Sequence, residues 1–202
     1  MITVHHLNKS RSKRVLWLLE ELKMPYQRID YQRNAKTNLA PESLKAVHPL
    51  NKAPIIVEGD ITLCESSTIM EYILDQDVEK RLRPVKGTQE YYQYLEWSHF
   101  AEGSLALPVM FTLFMGMETR SGDQEMDGYI AKEVAVDFGY IESVLAERDY
   151  FAGVQFTAAD IMMQVMLEIA GILGLLKGRD KTLAYLAKVQ DRPAYIKAAS
   201  FG

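Results

Sequence analysis

The chain changes its pattern once, between residues 77 and 87, and this change limits the folds open to it. Before this point, strand-like runs alternate with amphipathic helical runs, whereas after it only helical periodicity is found. The runs of the first part are residues 1–7, 11–23, 26–31, 41–47, 54–57 and 61–64, followed by a helix that starts near residue 66. Their order predicts a βαβαββα unit.

The helix predicted over residues 11–23 shows the clearest periodicity. Its apolar residues follow the i, i+3, i+4, i+7 rule and are Val15, Leu18, Leu19 and Leu22. We expect Glu20 and Glu21 to point outward from this helix, and Pro25 to end it.

The second part of the chain is predicted to be all helical. A linker rich in charge, with Pro84 and Gly87, covers residues 78–87. The helical runs that follow are residues 88–117, 125–147, 158–174, 180–190 and 192–200. The predicted fold class is therefore α/β plus all-α, with one domain over residues 1–77 and a helical domain over residues 88–202.

Composition argues against several classes of function. The 202 residues contain 23 Lys and Arg against 27 Asp and Glu, a net charge of −4, which disfavours a nucleic-acid or anionic-membrane binder. The single cysteine, Cys64, allows neither an internal disulfide nor a CxxC redox pair, so we expect a reducing, cytoplasmic compartment. We expect no export signal at residues 1–14 and no membrane span in the most apolar stretch, residues 161–176, which Gln164 and Glu168 interrupt.

The familiar catalytic motifs are missing from the sequence. The four histidines (His5, His6, His48 and His99) have no metal-ligand spacing, so no metal site is expected. There is no GxSxG, GxGxxG or GxxxxGK[ST] motif, which leaves serine hydrolase chemistry and nucleotide binding without support. What remains is a set of three loops, residues 8–12, 51–54 and 64–67, which a βαβαββα sheet can bring together.

These loops carry a family resemblance. The segments Ser10-Arg11-Ser12-Lys13-Arg14, His48-Pro49-Leu50-Asn51-Lys52-Ala53-Pro54 and Glu65-Ser66-Ser67-Thr68-Ile69 resemble the glutathione-site motifs of cytosolic glutathione S-transferases. Residues 151–161 are similar to a fourth motif of that family, in its helical domain. The resemblance implies a thioredoxin-like N-terminal domain, an all-helical C-terminal domain and a bacterial serine-type member of the family.

The resemblance implies that Ser10 activates glutathione. The thiol of glutathione is the nucleophile, and a hydroxyl donor near a helix N-terminus stabilises its thiolate. Helix capping is the commoner use of such a serine. Ser12 is an alternative activator, but Ser10 stands four residues before Arg14, as in serine-type members of the family.

The remaining glutathione contacts are also implied by the resemblance. A cis Ala53-Pro54 bond would present the Ala53 backbone to the cysteinyl part, although the family often has Val where Ala53 stands. Asn51 and Lys52 are expected to reach the glycyl carboxylate, with a solvated loop lysine as the alternative. Glu65 would bind the ammonium group of the γ-glutamyl part of glutathione. Ser66 and the amides at the helix start would bind the carboxylate of the same part. The alternative for both residues is simple helix capping. Thr68 replaces the family's usual alanine.

Two features of the second part are interpreted separately. Thr157 and Asp160 form a capping box, with Phe156 and Ile161 as a hydrophobic staple, so Asp160 is expected to serve folding and not chemistry. The candidates for an electrophile pocket are Phe100, Ser104, Met110, Phe111, Phe114 and Met115, for which core packing is the alternative. The candidates for a homodimer surface are Tyr91, Tyr92, Tyr94 and Trp97, again with core packing as the alternative.

The sequence thus predicts a glutathione transferase that joins the thiolate to hydrophobic electrophiles, with glutathione as co-substrate, no cofactor, and no nucleic-acid or membrane partner. A non-catalytic binder of glutathione or apolar ligands is one alternative. A glutathione-dependent peroxidase or reductase is another, but family members specialised for thiol exchange usually carry a cysteine where Ser10 stands, and Cys64 lies far along the chain.

Overall fold

The computed structural model describes residues 1–122 and 124–202 and divides them into two compact units. The first comprises Met1–Arg81 together with Asp191–Gly202, and the second comprises Leu82–Gln190. The elements of the first unit are β1 (Ile2–Leu7), α1 (Ser12–Leu22), β2 (Tyr26–Tyr31), α2 (Glu42–Lys45), β3 (Ile55–Glu58), β4 (Ile61–Cys64), α3 (Ser66–Gln76) and α9 (Pro193–Ala199). Those of the second are α4 (Gln89–Gly103), α5 (Ala106–Met115), α6 (Glu125–Glu147), α7 (Ala158–Ile172) and α8 (Asp180–Gln190).

The four strands form one mixed sheet in the order β2-β1-β3-β4. β1 and β2 run parallel and are connected by the helix α1. β3 lies antiparallel to β1 and forms a hairpin with β4. The βαβαββα order predicted from the sequence is confirmed.

The helix α1 is buried on more than one face. Val15, Leu16, Trp17, Leu18 and Leu19 are consecutive, and each has no solvent-exposed surface. A single apolar stripe would leave part of this run in water, so a helix buried all round needs a cover on each side. α1 contacts β1 and α3, and its second cover is α9.

This packing corrects two expectations from the sequence. Residues 192–200 were assigned to the helical domain, but α9 belongs to the first unit, where Tyr195 packs edge-on against Trp17 with ring centroids 5.0 Å apart. Glu20 and Glu21 do not point freely into solvent either. Lys197 of α9 lies 2.8 Å from Glu20, and Arg192, the residue before α9, binds Glu21, so each carboxylate has a cationic partner.

A third difference concerns residues 88–117, predicted as one helix and found as α4 and α5. Pro108 has no N–H to donate to the Ser104 carbonyl four residues earlier, and its ring would clash with that carbonyl in a continuous helix. The Ser104 carbonyl accepts from Leu107 instead, at 3.3 Å, and the Leu105 N–H reaches back to Phe100 at 3.0 Å. The helix therefore breaks at residues 104–105.

The second unit contains the predicted capping box at the start of α7. Asp160 is fully buried and accepts four hydrogen bonds: from the Phe151 and Thr157 amides at 3.1 and 2.8 Å, and from the Thr157 and Tyr185 hydroxyls at 3.1 and 2.6 Å. Phe156 and Ile161 are both buried. This segment therefore serves packing, as the sequence predicted.

Over the part of the chain that the structure describes, no helix has the length and apolar character that crossing a membrane requires.

Candidate active site

Three loops meet at one edge of the sheet. Because β3 runs antiparallel to β1, its start lies beside the end of β1, and His5 pairs with Ile55. Ile55 in turn pairs with Cys64, the last residue of β4. The loop after β1, the loop before β3 and the start of α3 therefore lie together, as the sequence predicted.

Ser10 and Ser12 are hydrogen-bonded to each other in the first of these loops. Their Oγ atoms lie 2.7 Å apart, and the Ser10 Oγ also accepts the Ser12 N–H at 3.2 Å. Ser10 is half-buried, whereas Ser12, the first residue of α1, has no exposed surface. Ser10 thus binds a helix-start amide, as the capping alternative proposed, while its hydroxyl stays at the open end of the pair. The N-cap position itself belongs to Arg11, whose side chain makes no cap bond.

The buried end of the pair leads to His6, which sequence reasoning had given no role. The His6 Nδ1 lies 2.7 Å from the Ser12 Oγ, and its Nε2 lies 3.2 Å from the carbonyl of Phe201. His6 is 1% exposed. The strand alternation contained a signal for this, because His6 shares the face of Val4 and is the next-to-last residue of β1, one position before Leu7 and the loop.

Arg14 also lies at these loops, and sequence reasoning used it only as a spacing marker. It is fully buried on α1, and its Nη1 donates to the Ser66 Oγ at 3.2 Å. This bond joins the start of α1 to the start of α3. The available signal was a charged residue four positions before Leu18, on the apolar side of a helix.

The start of α3 presents free donors and a strained residue. Glu65 stands at the N-cap with φ 72° and ψ 114°, a conformation that is costly for a non-glycine residue and typical of ligand-binding positions. Its side chain is exposed and makes no cap hydrogen bond. The amides of the first turn, with the positive end of the helix dipole, can receive an anion there.

The loop before β3 contains the cis peptide bond between Ala53 and Pro54 that the resemblance implied. In the described structure, neither the amide nor the carbonyl of Ala53 takes part in a backbone–backbone hydrogen bond. Asn51 has φ 52°, and its buried Oδ1 has no hydrogen-bond partner among the described residues. Lys52 is exposed. This loop therefore offers backbone and side-chain groups to a ligand.

The electrophile-pocket candidates all lie in the second unit. Phe100 packs against Trp97 and Tyr140, with ring centroids 5.1 and 6.0 Å away. Phe111 and Phe114 are 40% and 54% exposed on one side of α5, Ser104 is exposed, and Met110 and Met115 are half-buried. A pocket at these residues stays a prediction.

The four aromatic residues considered for a dimer surface divide by burial. Tyr94 and Trp97 are 2% and 1% exposed, so the core-packing alternative describes them. Tyr92 is 61% exposed and Tyr91 is half-buried, which leaves these two as surface candidates.

Across residues 1–122 and 124–202, no three His, Cys, Asp or Glu side chains are grouped so that they could bind a metal ion.

The four-stranded mixed sheet with its helices, followed by a helical unit, defines a thioredoxin-like domain joined to an all-helical domain. Residues 1–75 match the N-terminal domain of glutathione S-transferases, and residues 104–187 match the C-terminal domain. The chain belongs to the glutathione S-transferase family.

Individual relatives agree with this assignment. Glutathione S-transferase 3 of Schizosaccharomyces pombe is 32% identical over 209 residues, covering 96% of this chain and 85% of the relative. Glutathione S-transferase GstB of Escherichia coli is 27% identical over 204 residues, covering 98% and 97%. The crystal structure of a glutathione S-transferase from Actinobacillus pleuropneumoniae matches with a TM-score of 0.90 and 31% identity, covering 99% of this chain and 92% of that one.

These matches confirm the predicted family, the fold class and the enzyme class, glutathione transferase. The bacterial serine-type subclass stays a prediction.

Proposed function

We propose that this glutathione transferase joins the thiolate of glutathione to hydrophobic electrophiles, with Ser10 stabilising the thiolate. The observation that carries the proposal is the Ser10 hydroxyl: it is half-buried, stands two residues before the start of α1, and is hydrogen-bonded to a Ser12 that has no exposed surface. This favours Ser10 over Ser12 as the group that meets the sulfur.

The chemistry needs only a donor and a favourable field. A free thiol has a pKa of about 8.5, and a helix N-terminus with a hydroxyl donor lowers it because both stabilise the thiolate. The sulfur then attacks the electrophile, and the leaving group departs or the activated double bond takes up a proton. Glutathione is a co-substrate in this proposal, and no cofactor takes part.

The ends of the glutathione molecule suit the other two loops. The exposed Glu65 carboxylate is suited to bind the ammonium group of the γ-glutamyl part of glutathione. The amides of the first turn of α3 and the Ser66 hydroxyl are suited to bind the carboxylate of the same part. The unpaired backbone groups of Ala53 suit the cysteinyl part as an added strand would. Lys52 and the amide of Asn51 are assigned to the glycyl end.

The electrophile is assigned to the exposed aromatic side of α5, at Phe111 and Phe114, with Phe100, Ser104 and Met110 as further members of the pocket. Exposed aromatic side chains on one helix face suit contact with an apolar ligand or partner. A homodimer, with Tyr91 and Tyr92 as surface candidates, and a cytoplasmic location complete the proposal.

The test is conjugation of a generic aryl halide by Ser10→Ala, Ser12→Ala and Cys64→Ser, with glutathione affinity measured by calorimetry. We expect Ser10→Ala to lower kcat on the order of a hundredfold, as the loss of one donor to a developing anion does elsewhere, while affinity changes little. An unchanged rate in Ser10→Ala contradicts the assignment. Glutathione binding without turnover of any electrophile favours the non-catalytic binder.

Cys64→Ser is the control for peroxidase or reductase chemistry. Distance along the chain does not separate Cys64 from the site, because Cys64 ends β4 at the same edge of the sheet and directly precedes Glu65. Transferase activity that survives this substitution supports the serine-based mechanism. Peroxide reduction that disappears with the thiol favours the alternative.

A further inference from the structure

A chain of hydrogen bonds runs from the loop cluster into the core of the first unit. Its members, from the open end inward, are the Ser10 hydroxyl, the Ser12 hydroxyl, the His6 imidazole and the Phe201 carbonyl, and its three contacts measure 2.7, 2.7 and 3.2 Å. Ser12 and His6 are 0% and 1% exposed, so no bulk water reaches the inner contacts.

The carbonyl at the inner end fixes the direction of every bond in this chain. A carbonyl only accepts, so the His6 Nε2 carries a hydrogen and, in the neutral ring, Nδ1 is the acceptor. The Ser12 hydroxyl then donates to Nδ1 at 2.7 Å, a shorter contact than its 3.3 Å approach to the Leu7 carbonyl. Ser12 has one hydrogen to give, so its oxygen accepts from Ser10.

The Ser10 oxygen is consequently left as an acceptor at the open end. Its hydrogen is directed at Ser12, and one of its two lone pairs takes the Ser12 N–H. The other lone pair can receive the hydrogen of a thiol. All donors along the chain then point the same way, from the loop cluster toward Phe201.

We propose that this chain is a proton relay, in which His6 takes up the proton that the glutathione thiol loses. The proposal rests on the proposed function, because it needs the thiol at Ser10. The S–H bond breaks as its proton passes to the Ser10 oxygen, the Ser10 proton passes to Ser12, and the Ser12 proton passes to the His6 Nδ1. The products are a thiolate and an imidazolium, so one proton moves in net terms and no charge is lost.

The reversed hydrogen bonds suit the product state. After transfer, Nδ1 donates to Ser12, Ser12 donates to Ser10, and Ser10 donates to the thiolate sulfur, which is the donor that thiolate stabilisation needs. Nε2 keeps its bond to Phe201 throughout. His6 does not touch glutathione and therefore acts as a positioning residue that also stores the proton.

The surroundings keep His6 neutral before glutathione binds. The pKa of His6 is lowered, and burial is the largest cause; Arg28 acts in the same direction. The Phe201 carbonyl, Asp30 and the Gly202 backbone act in the opposite direction but do not outweigh burial. Asp30 and Arg28 are the charged groups acting on the ring, both from β2, while α1 contributes the neutral Ser12 and residues 201–202 contribute carbonyls. A neutral ring is the form that can accept a proton.

The tail that supplies the carbonyl is anchored at two further points. The Arg28 guanidinium lies over the Phe201 ring, 3.7 Å from its centroid, and the Lys9 N–H donates to the Gly202 carbonyl at 3.4 Å. These contacts hold the acceptor beside Nε2.

The decisive experiment compares glutathione with S-methylglutathione, which has no thiol proton. Thiolate formation is followed by ultraviolet absorbance, proton release by calorimetry in buffers of different ionisation enthalpy, and His6 by nitrogen NMR. We expect thiolate to form with no proton released beyond that seen with S-methylglutathione, and Nδ1 to become protonated with glutathione alone. Release of about one proton per thiolate, or an unchanged Nδ1 signal, overturns the relay.

Variants add a functional readout. In His6→Asn we expect conjugation near neutral pH to fall on the order of a hundredfold, within the range of general acid–base contributions, and to recover as pH rises. His5→Asn is the matched control, because His5 is also buried and contacts Tyr31 outside the relay. Equal losses in both variants, with no change in pH profile, overturn the proposal.

Ser12→Ala interrupts the chain at its middle and leaves His6 in place on Phe201, so it tests the relay if His6→Asn fails to fold. We expect glutathione to bind this variant without protonating Nδ1, and protonation there overturns the relay. The two proposals fail in different ways. Glutathione that does not bind at all removes the proposed site, whereas glutathione that binds and reacts while His6 stays neutral removes only the relay.

Discussion

Arg192 binds the carboxylate of Glu21 with two hydrogen bonds, at 2.6 and 2.8 Å, although 171 positions separate the two residues in the chain. The same carboxylate accepts the indole N–H of Trp17 at 2.9 Å. This one group therefore ties α9 to α1 and to the most buried aromatic side chain between them.

Glu21→Gln keeps an acceptor for Trp17 but loses the charge that Arg192 requires. We expect it to lower the free energy of unfolding by about 1–2 kcal/mol, because the pair is charge-assisted yet partly open to water. A double-mutant cycle with Arg192→Gln, followed by denaturant unfolding, isolates the pair. A coupling energy of zero would show that the Glu21–Arg192 pair does not hold α9 and leave that role to Tyr195 and to the Lys197–Glu20 pair.

Asp160→Asn places an NH2 group in a site built from donors. The Thr157 amide and hydroxyl both donate to the Asp160 Oδ2, at 2.8 and 3.1 Å. If the NH2 group of Asn takes the place of this oxygen, both donors lose their acceptor at a position with no exposed surface. We expect a loss of about 2–4 kcal/mol in unfolding free energy, measured by urea titration. Tyr185→Phe removes one of the four bonds and should cost about 1 kcal/mol.

The same pair of variants checks whether Asp160 has a chemical role. Conjugation per folded molecule should be unchanged in both. A specific activity that falls in Asp160→Asn while the protein stays folded would contradict a purely structural role.

Glu142→Gln tests an acid-sensitive contact between α6 and α8. Burial disfavours the charged form of Glu142, but hydrogen bonds from the Thr182 hydroxyl and from the amides of Lys181 and Thr182 outweigh it, so its pKa is lowered. A carboxyl whose pKa is lower in the folded state stabilises the fold above its unfolded pKa of about 4.3 and loses that contribution as pH falls through the folded value.

We therefore expect Glu142→Gln to be less stable than the wild type by about 1 kcal/mol at neutral pH, with a difference that shrinks on acidification. Thermal unfolding from neutral to acidic pH measures this. Glu147→Gln, at an exposed position on the same helix, is the matched control. It should change neither the stability at neutral pH nor the dependence of stability on pH. A difference that stays constant with pH would contradict the assignment to the charged form.

Arg14→Lys tests the bond between the two helix starts. The lysine keeps the charge but not the planar fork that reaches the Ser66 hydroxyl at 3.2 Å. Under the proposed function, glutathione affinity should fall by up to about tenfold, the value of one hydrogen bond. Calorimetry on Arg14→Lys, Ser66→Ala and the double variant decides the mechanism, because strictly additive losses would show that Arg14 does not act through Ser66.

The periodic parts of this fold were open to prediction from the sequence. The strand alternation and the stripe of Val15, Leu18 and Leu19 give element type directly, since burial of one face selects those positions. The break at Ser104 was missed because Pro108 sits in an otherwise helical run, where a proline is allowed in the first turn of a new helix and the pattern alone does not say that one begins.

Long-range partners were not predictable in the same way. Nothing near Trp17 in the chain indicates that Tyr195 covers it, and a charged pair such as Glu21 with Arg192 resembles two solvated residues until the fold is known. In the candidate site, Ser10 followed from a motif, whereas His6 and Arg14 act through contacts with Phe201 and Ser66 that only the folded chain brings together.

The assignment of α9 to the first unit sets an order of events during translation. A ribosome releases residues 1–81 first, yet the cover for Trp17 and the carbonyl for His6 come from residues 191–202, after all of Leu82–Gln190 has been made. The nascent chain therefore lacks the Tyr195 contact of Trp17 and the Phe201 acceptor of the His6 Nε2 while residues 82–190 are synthesised. Under the proposed relay, activity begins only after residues 191–202 have docked on the first unit.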